Sequence, residues 1–311
     1  MGGSDVRMGS FPFEHRVVSV WCQDLRHRRG QSPSFVDFIE LRFVLQDRGH
    51  VKLYQIPIPV DATSSSKPRD GVTPEQLTSK HSVTSFSPLS NDKVLLTINS
   101  LTSPNTLSVL DLSATKDRLT PLASLTPDLK EKYGLDSGSE FTFAGAEGKE
   151  VHGWAVLPPD YDESRTYPLA FLVHGGPQGA WNDSWSTRWN PNAFAAAGYI
   201  TIAINPTGST GYGQEFCDAI KNHWGGRPFQ DLVAGLEYVK KRFPIDEKRM
   251  AALGASYGGY MTNWIQVGAY LRSFRKAADK LRRVTTTSPS SLLSSVTMVV
   301  STSSLSSLLR R

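Results

Sequence analysis

Cysteine is nearly absent from this chain: its 311 residues contain two, Cys22 and Cys217. Two cysteines exclude a disulfide scaffold and any multi-cysteine metal site, and leave the redox compartment open. Long apolar runs are missing as well, and none approaches the roughly 18 residues of a membrane span. The N-terminus, Met1-Gly2-Gly3-Ser4-Asp5, lacks a signal-peptide core. The one apolar cluster there, Val17 to Trp21, is shorter than the roughly 7–15 residues such a core needs. Val6 stands where myristoylation requires Ser or Thr. The formal net charge is +5, from 34 basic and 29 acidic residues, but it is unevenly placed. From Ala269 onward eight Lys or Arg accompany one acid, so residues 1–268 hold 26 basic and 28 acidic residues, a balance of −2. The basic excess is confined to the tail, so neither nucleic acid nor membrane is an expected partner.

With 39% apolar and 20% charged residues, the composition is that of a globular chain. Residues 1–45 mix aromatics, arginines and short apolar pieces without sustained periodicity, and form an unassigned segment. From Val51 to Val60 apolar and polar residues alternate, as in a strand whose end Pro57 and Pro59 push to a sheet edge. After a loop rich in Ser, Thr, Lys and Asp, Val83–Pro88, Lys93–Ile98 and Leu107–Leu112 follow at short spacing. Asn91-Asp92 and Pro104-Asn105 supply turns between them. That rhythm predicts antiparallel β structure over 46–136 and looks like a piece of a β-propeller, with one or two blades' worth of chain.

The character changes near Ser137. Phe141–Ala144 and Val151–Leu157 are predicted strands around a Gly145–Gly148 turn. Leu169–Val173 and Tyr199–Ile204 have the continuous apolar pattern of buried strands. An Ala-rich helix over Ala193–Ala197, closed by Gly198, lies between them. Phe229–Phe243 carries a helical apolar stripe ended by Pro244. Arg249–Leu253 is a further strand and Tyr260 to about Tyr270 a further helix. Strands alternating with helices predict an α/β unit with a mostly parallel sheet over 137–268. From Thr285 to Arg311, 15 of 27 residues are Ser or Thr. The basic, then Ser/Thr-rich stretch 269–311 is expected to be disordered.

The chemistry concentrates in Gly254-Ala255-Ser256-Tyr257-Gly258, a G-x-S-x-G between a predicted strand and a predicted helix. At such a turn a serine is held in a strained conformation that projects its hydroxyl from the sheet edge. The flanking glycines let strand and helix approach, and the amide of Tyr257 points where an oxyanion would form. A second signal, His174-Gly175-Gly176-Pro177, closes the Leu169–Val173 strand, where a second oxyanion amide belongs. His174 precedes the serine, whereas this arrangement runs Ser, then Asp or Glu, then His, so His174 is not the expected general base. Gly208–Gly213 is glycine-rich, but the chain has no G-x-x-x-x-G-K, which argues against a phosphate loop. Asn182-Asp183-Ser184 is a glycosylation sequon, meaningful only on a secretory route. Trp181, Trp185 and Trp189 have the spacing of a core or domain-contact face.

Four stretches together resemble the prolyl oligopeptidase family of serine peptidases, most closely its fungal dipeptidyl-peptidase V and acylaminoacyl-peptidase branch. They are Leu172–Gln178, Asn205–Phe216, Trp224–Phe229 with Asp231-Leu232, and Gly254–Tyr260. The resemblance covers about Ser137 to Gln266, and Asp47 to about Leu135 more loosely. It implies an α/β fold: a partial α/β-hydrolase domain with a nucleophile elbow, preceded by a propeller fragment. By that resemblance Ser256 is the nucleophile, with the Tyr257 and Gly176 amides as the oxyanion hole. The implied reaction is release of dipeptides from peptides with free N-termini, with no cofactor and no metal, in a protein that is secreted in fungi.

The family's triad Asp and His lie well downstream of the serine. Here 55 residues follow Ser256; they include no histidine, the last being His223, and a single acid, Asp279. The family pattern stops after Gln266. The expectation is a chain broken at both ends that derives from a peptidase and has little or no activity. The alternatives are an esterase- or lipase-like hydrolase, since G-x-S-x-G and H-G-G occur there too, and a non-catalytic truncated product.

Overall fold

A computed structural model describes residues 17–24, 38–59, 73–115 and 118–266. The expected tail over 269–311 and most of the Ser/Thr-rich loop after Val60 lie outside the described residues.

Two sheets organise the described residues. The first begins with the antiparallel strands β1 (Val17–Asp24), β2 (Phe38–Asp47) and β3 (His50–Pro59). A two-residue strand, β4 (Glu75–Gln76), pairs with β3. A second meander follows: β5 (Ser82–Pro88), β6 (Lys93–Ser100), β7 (Ser103–Asp111) and β8 (Leu119–Ser124), all antiparallel. One parallel pairing, Val51 with Ser82, joins the two meanders. The β2–β3 connection is a two-residue turn with both central residues at positive φ, Arg48 at 47° and Gly49 at 77°. That is the hairpin turn whose twist matches its strands.

Strand β2 lies partly in the segment that showed no periodicity, and it crosses the expected boundary at residue 45. It is buried on both faces. Leu41, Phe43 and Leu45 pack with Ile56, while Val44 packs on the opposite side with Leu53, Val83, Val94 and Leu96. Arg42 between them is also buried. A strand covered on both sides has no need to alternate.

The second sheet has the order β13-β11-β12-β10-β9. Its strands are β9 (Ser139–Ala144), β10 (Glu150–Val156), β11 (Tyr167–Val173), β12 (Ile200–Asn205) and β13 (Ile245–Gly254). β13, β11 and β12 run parallel, and β10 is antiparallel to both β12 and β9. The unit is therefore α/β with a mixed sheet. A short helix, α1 (Leu129–Tyr133), precedes it, and α2 (Pro191–Ala195) leads into β12. The sequence starts α2 unambiguously: the Asn190 side chain accepts the Asn192 N–H, and Pro191 occupies the first turn. Helices α3 (Gln214–Asp218) and α4 (Arg227–Arg242) follow β12, and residues 257–266 form α5 after β13.

Helix α4 covers one face of this sheet with Leu232 and Val239, joined there by Ile202, Ile204 and Phe143. Gly235 faces inward because a Cβ there would stand 2.2 Å from Ile204 Cδ1. Asp231, fully buried, ties three segments together. Its carboxylate accepts the Ala146 N–H at 2.7 Å, the Thr207 N–H at 2.7 Å and the Thr207 hydroxyl at 2.6 Å. Replacing it leaves buried donors without an acceptor, which is the expensive side of hydrogen bonding. Asp231→Ala should lower unfolding stability by about 3 kcal/mol or more, read from the urea midpoint. A loss under about 1 kcal/mol would contradict that role.

Candidate active site

Strands β11 and β13 end side by side, with Val173 paired to Gly254. The chain then turns in two residues, Ala255 and Ser256, before α5 begins at Tyr257. Ser256 has φ +57°, a left-handed conformation that is uncommon for any residue with a side chain. The turn is closed by Gly258 N–H donating to Ala255 O at 2.9 Å and Tyr260 N–H donating to Ser256 O at 3.0 Å. A Cβ on Gly254 would meet the Gly258 carbonyl carbon at 2.5 Å. On Gly258 it would stand 2.2 Å from the Val173 carbonyl oxygen and 3.0 Å from that of His174. The two glycines of the motif are thus set by steric contact. Ser256 is exposed, and among the described residues its hydroxyl has no hydrogen-bond partner.

Tyr257 is the first residue of α5, so its N–H has no carbonyl one turn back within the helix. Its ring is buried against Trp224, its hydroxyl donates to Trp224 O at 2.9 Å, and burial pushes the phenol well above its usual range. Trp224, Tyr260 and Trp264 continue this aromatic group onto the surface beside the turn, with Tyr260 and Trp264 stacked 5.9 Å apart.

The loop after β11 lies against the serine turn. A Cβ on Gly175 would be 3.1 Å from Ala255 O and 3.6 Å from Ser256 Cβ. Gly176 has φ +126°, and a Cβ there would meet Gln178 N at 2.6 Å. Tyr257 and Gly176 therefore belong to adjoining turns that meet at Ser256. His174 is buried and turned elsewhere. Its Nδ1 lies 2.8 Å from Gly175 O and its Nε2 2.9 Å from Ser209 Oγ, while burial pushes its pKa down. His223 is exposed in the loop before α4, and neither histidine is hydrogen-bonded to Ser256. Asp279 lies outside the described residues.

The sequence did not single out the residues that hold this loop in place. Asn205, fully buried at the end of β12, accepts the Trp181 N–H at 2.7 Å and donates to the Trp181 carbonyl at 2.9 Å. Thr210 N–H donates to Gly179 O at 2.9 Å. The glycine-rich stretch 208–213 is thus a packed support: Gly208 fits against Ile220 and Gly211 against Gln46. Trp181 and Trp189 pack with Leu101 and Trp154, where the two sheets meet. The sequon lies in the same contact, with Asn182 Oδ1 and Asp183 both buried. Cavities of about 180 Å³ beside Trp181 and about 500 Å³ beside Arg48 and Tyr212 are found at this contact, and neither is lined by Ser256. Among the described residues no group of three or more His, Cys, Asp or Glu is arranged to hold a metal ion. No helix among them is long and apolar enough to cross a membrane.

Residues 185–279 match the prolyl oligopeptidase family. Dipeptidyl-peptidase 5 of Schizosaccharomyces pombe is 45% identical over 202 residues, which are 64% of this chain and 28% of that protein. The probable dipeptidyl-peptidase 5 of Emericella nidulans is 42% identical over 234 residues, 74% of this chain and 31% of that protein. Over these stretches the chain is similar to members of the prolyl oligopeptidase family. It spans under a third of the length of these two relatives. In fold it is similar to the acylaminoacyl peptidase of Pyrococcus horikoshii, with a TM-score of 0.62 and 24% identity. That likeness covers 81% of this chain and 35% of the other.

The tightest contact at the site yields a direct prediction. Gly258→Ala should separate the serine turn from β11 and lower unfolding stability by about 2 kcal/mol or more. Gly148→Ala is a control, since nothing lies within 4 Å of its Cβ position, although its φ of +72° adds some backbone strain. Equal losses in the two variants would mean that close packing at the turn is not what excludes a side chain.

Proposed function

We propose that the chain carries the nucleophile-bearing part of a serine-type dipeptidyl-peptidase, a hydrolase that releases dipeptides from peptides with free N-termini. The observation that carries this reading is the exposed, left-handed Ser256 between two sterically obligatory glycines, beside Gly175-Gly176. In this reading the Ser256 hydroxyl adds to the scissile carbonyl carbon, and the developing oxyanion is met by the N–H groups of Tyr257 and Gly176. The names of the relatives support the dipeptidyl specificity. The second sheet is proposed as the nucleophile half of an α/β-hydrolase domain, and the first as strands of a β-propeller. Secretion, expected from the family resemblance, is part of the same proposal.

A serine hydroxyl is a poor nucleophile until a base accepts its proton. No histidine follows Ser256 in these 311 residues, and His174 is engaged by Gly175 and Ser209. The 311-residue polypeptide alone should therefore turn over a dipeptidyl anilide no faster than its Ser256→Ala variant. Imidazole at about 0.1 M, supplied as a surrogate base, should raise turnover severalfold and only where Ser256 is present. The free dipeptidyl anilide should be preferred over its N-acetylated form. Preference for the acetylated substrate, or turnover of short acyl esters alone, would replace this specificity with an acylaminoacyl-peptidase or an esterase.

A further inference from the structure

The Gly176 amide can serve a reaction at Ser256 only if it keeps one direction, and glycine backbone does not fix that direction. The Gly175-Gly176 peptide can turn over at little steric cost, because neither residue carries a Cβ. Its carbonyl and its N–H are the two ends of one plane and point opposite ways. Whatever holds Gly175 O therefore aims Gly176 N–H. That N–H has no hydrogen-bond partner among the described residues.

The group at the carbonyl end is His174, whose Nδ1 lies 2.8 Å from Gly175 O. A carbonyl can only accept, so this bond needs a proton on Nδ1. Burial disfavours the charged ring, which leaves His174 one proton to place. Nε2 is then a bare lone pair, 2.9 Å from Ser209 Oγ. Ser209 is fully buried, and its hydroxyl has one proton for two acceptors, since Oγ also lies 2.6 Å from Pro206 O. Pro206 O already accepts the Ser209 N–H at 2.9 Å, whereas Nε2 has no other donor among the described residues. The hydroxyl therefore serves Nε2. The opposite tautomer would set a lone pair of Nδ1 against the Gly175 carbonyl oxygen. The loop is shaped around the same contact: a Cβ on Gly179 would stand 3.0 Å from Gly175 O and 3.7 Å from His174 Nδ1. Thr210, next to Ser209, donates its N–H to Gly179 O, and the Trp181 ring meets His174 edge-on with centroids 6.4 Å apart.

We propose that His174, oriented by Ser209, is the positioning residue of the oxyanion hole. The Ser209 hydroxyl holds Nε2, Nδ1–H holds Gly175 O, and the peptide plane thereby presents Gly176 N–H toward the oxyanion. This inference rests on the reading of Ser256 as nucleophile. His174 takes no proton from Ser256 in this role. Its effect falls on the rate of the chemical step rather than on binding, because the Gly176 N–H acts on an oxygen whose charge develops in the transition state.

The test uses the 311-residue polypeptide, imidazole as base and a fluorophosphonate, whose phosphonyl oxygen takes the place of the oxyanion. Ser256 Oγ bonds to phosphorus, fluoride leaves, and imidazole accepts the hydroxyl proton. His174→Leu should lower the maximal rate of Ser256 labelling roughly tenfold or more, with the half-saturating probe concentration unchanged. His174→Asn should restore most of that rate, because its Nδ2 stands near the place of Nδ1 and can donate to Gly175 O. His174→Gln, whose amide reaches toward Ser209 instead, should not. Labelling of His174→Leu at the parent rate, or equal losses in His174→Leu and His174→Asn, would overturn the positioning role. Nitrogen NMR of the unsubstituted chain, with the His174 ring assigned by the signals missing from His174→Asn, should find the proton on Nδ1 and none on Nε2. A proton on Nε2 would overturn the role as well. A parent chain that takes no label at Ser256 contradicts the nucleophile reading instead, and the ring tautomer then decides by itself whether His174 holds Gly175.

Discussion

The close approach of the serine turn to the end of β11 is the constraint on which the rest of the site depends. With no side chain at Gly258, the first turn of α5 rests on the Val173 and His174 carbonyls. That contact holds Ser256 at a positive φ and presents its hydroxyl at the carboxyl ends of the parallel strands. It also brings the Gly175-Gly176 turn against Ala255 and Ser256, so two stretches far apart in sequence form one surface. A left-handed serine costs of order 1–3 kcal/mol and persists only where its surroundings over-determine it. Here the overdetermination is steric, and it comes from β11.

Support for the β11 loop comes from the opposite side. Asn205 holds the Trp181 peptide by both its N–H and its carbonyl, and Thr210 holds Gly179. The β2–β3 hairpin is bonded to both loops through Arg48 and Gly49. Gly49 fits there because its Cβ position is 2.9 Å from His152 and 3.0 Å from Trp154. The first sheet is thereby linked, through two short loops, to the backbone around Ser256.

The most legible parts of the sequence were those where one position allows one residue. Gly254, Gly258, Gly175 and Gly176 are of this kind, because each is decided by a backbone conformation or a close contact a few atoms away; Ser256 stands out instead for its hydroxyl between those glycines, since its positive φ alone would favour glycine. The α4 stripe was legible because only one of its faces is buried. Strand β2 was not, since Leu41, Phe43, Val44 and Leu45 cover both faces and Arg42 interrupts them. Nor were Asn205, Ser209 or the His50–Glu140 pair, whose partners are 24, 35 and 90 residues away. Such polar contacts leave no local periodicity. Asn205 and Ser209 stood within a stretch that carried the family resemblance, but their role as supports emerged only from the fold.

The central claim is that Ser256 is the nucleophile of a preformed site. The most direct measurement is mass-spectrometric mapping of the adduct left by a fluorophosphonate on the 311-residue polypeptide in the presence of imidazole. A single phosphonyl group on the peptide containing Ser256, absent from Ser256→Ala, is the predicted result. Adducts spread over other serines, or the same yield in Ser256→Ala, would contradict it.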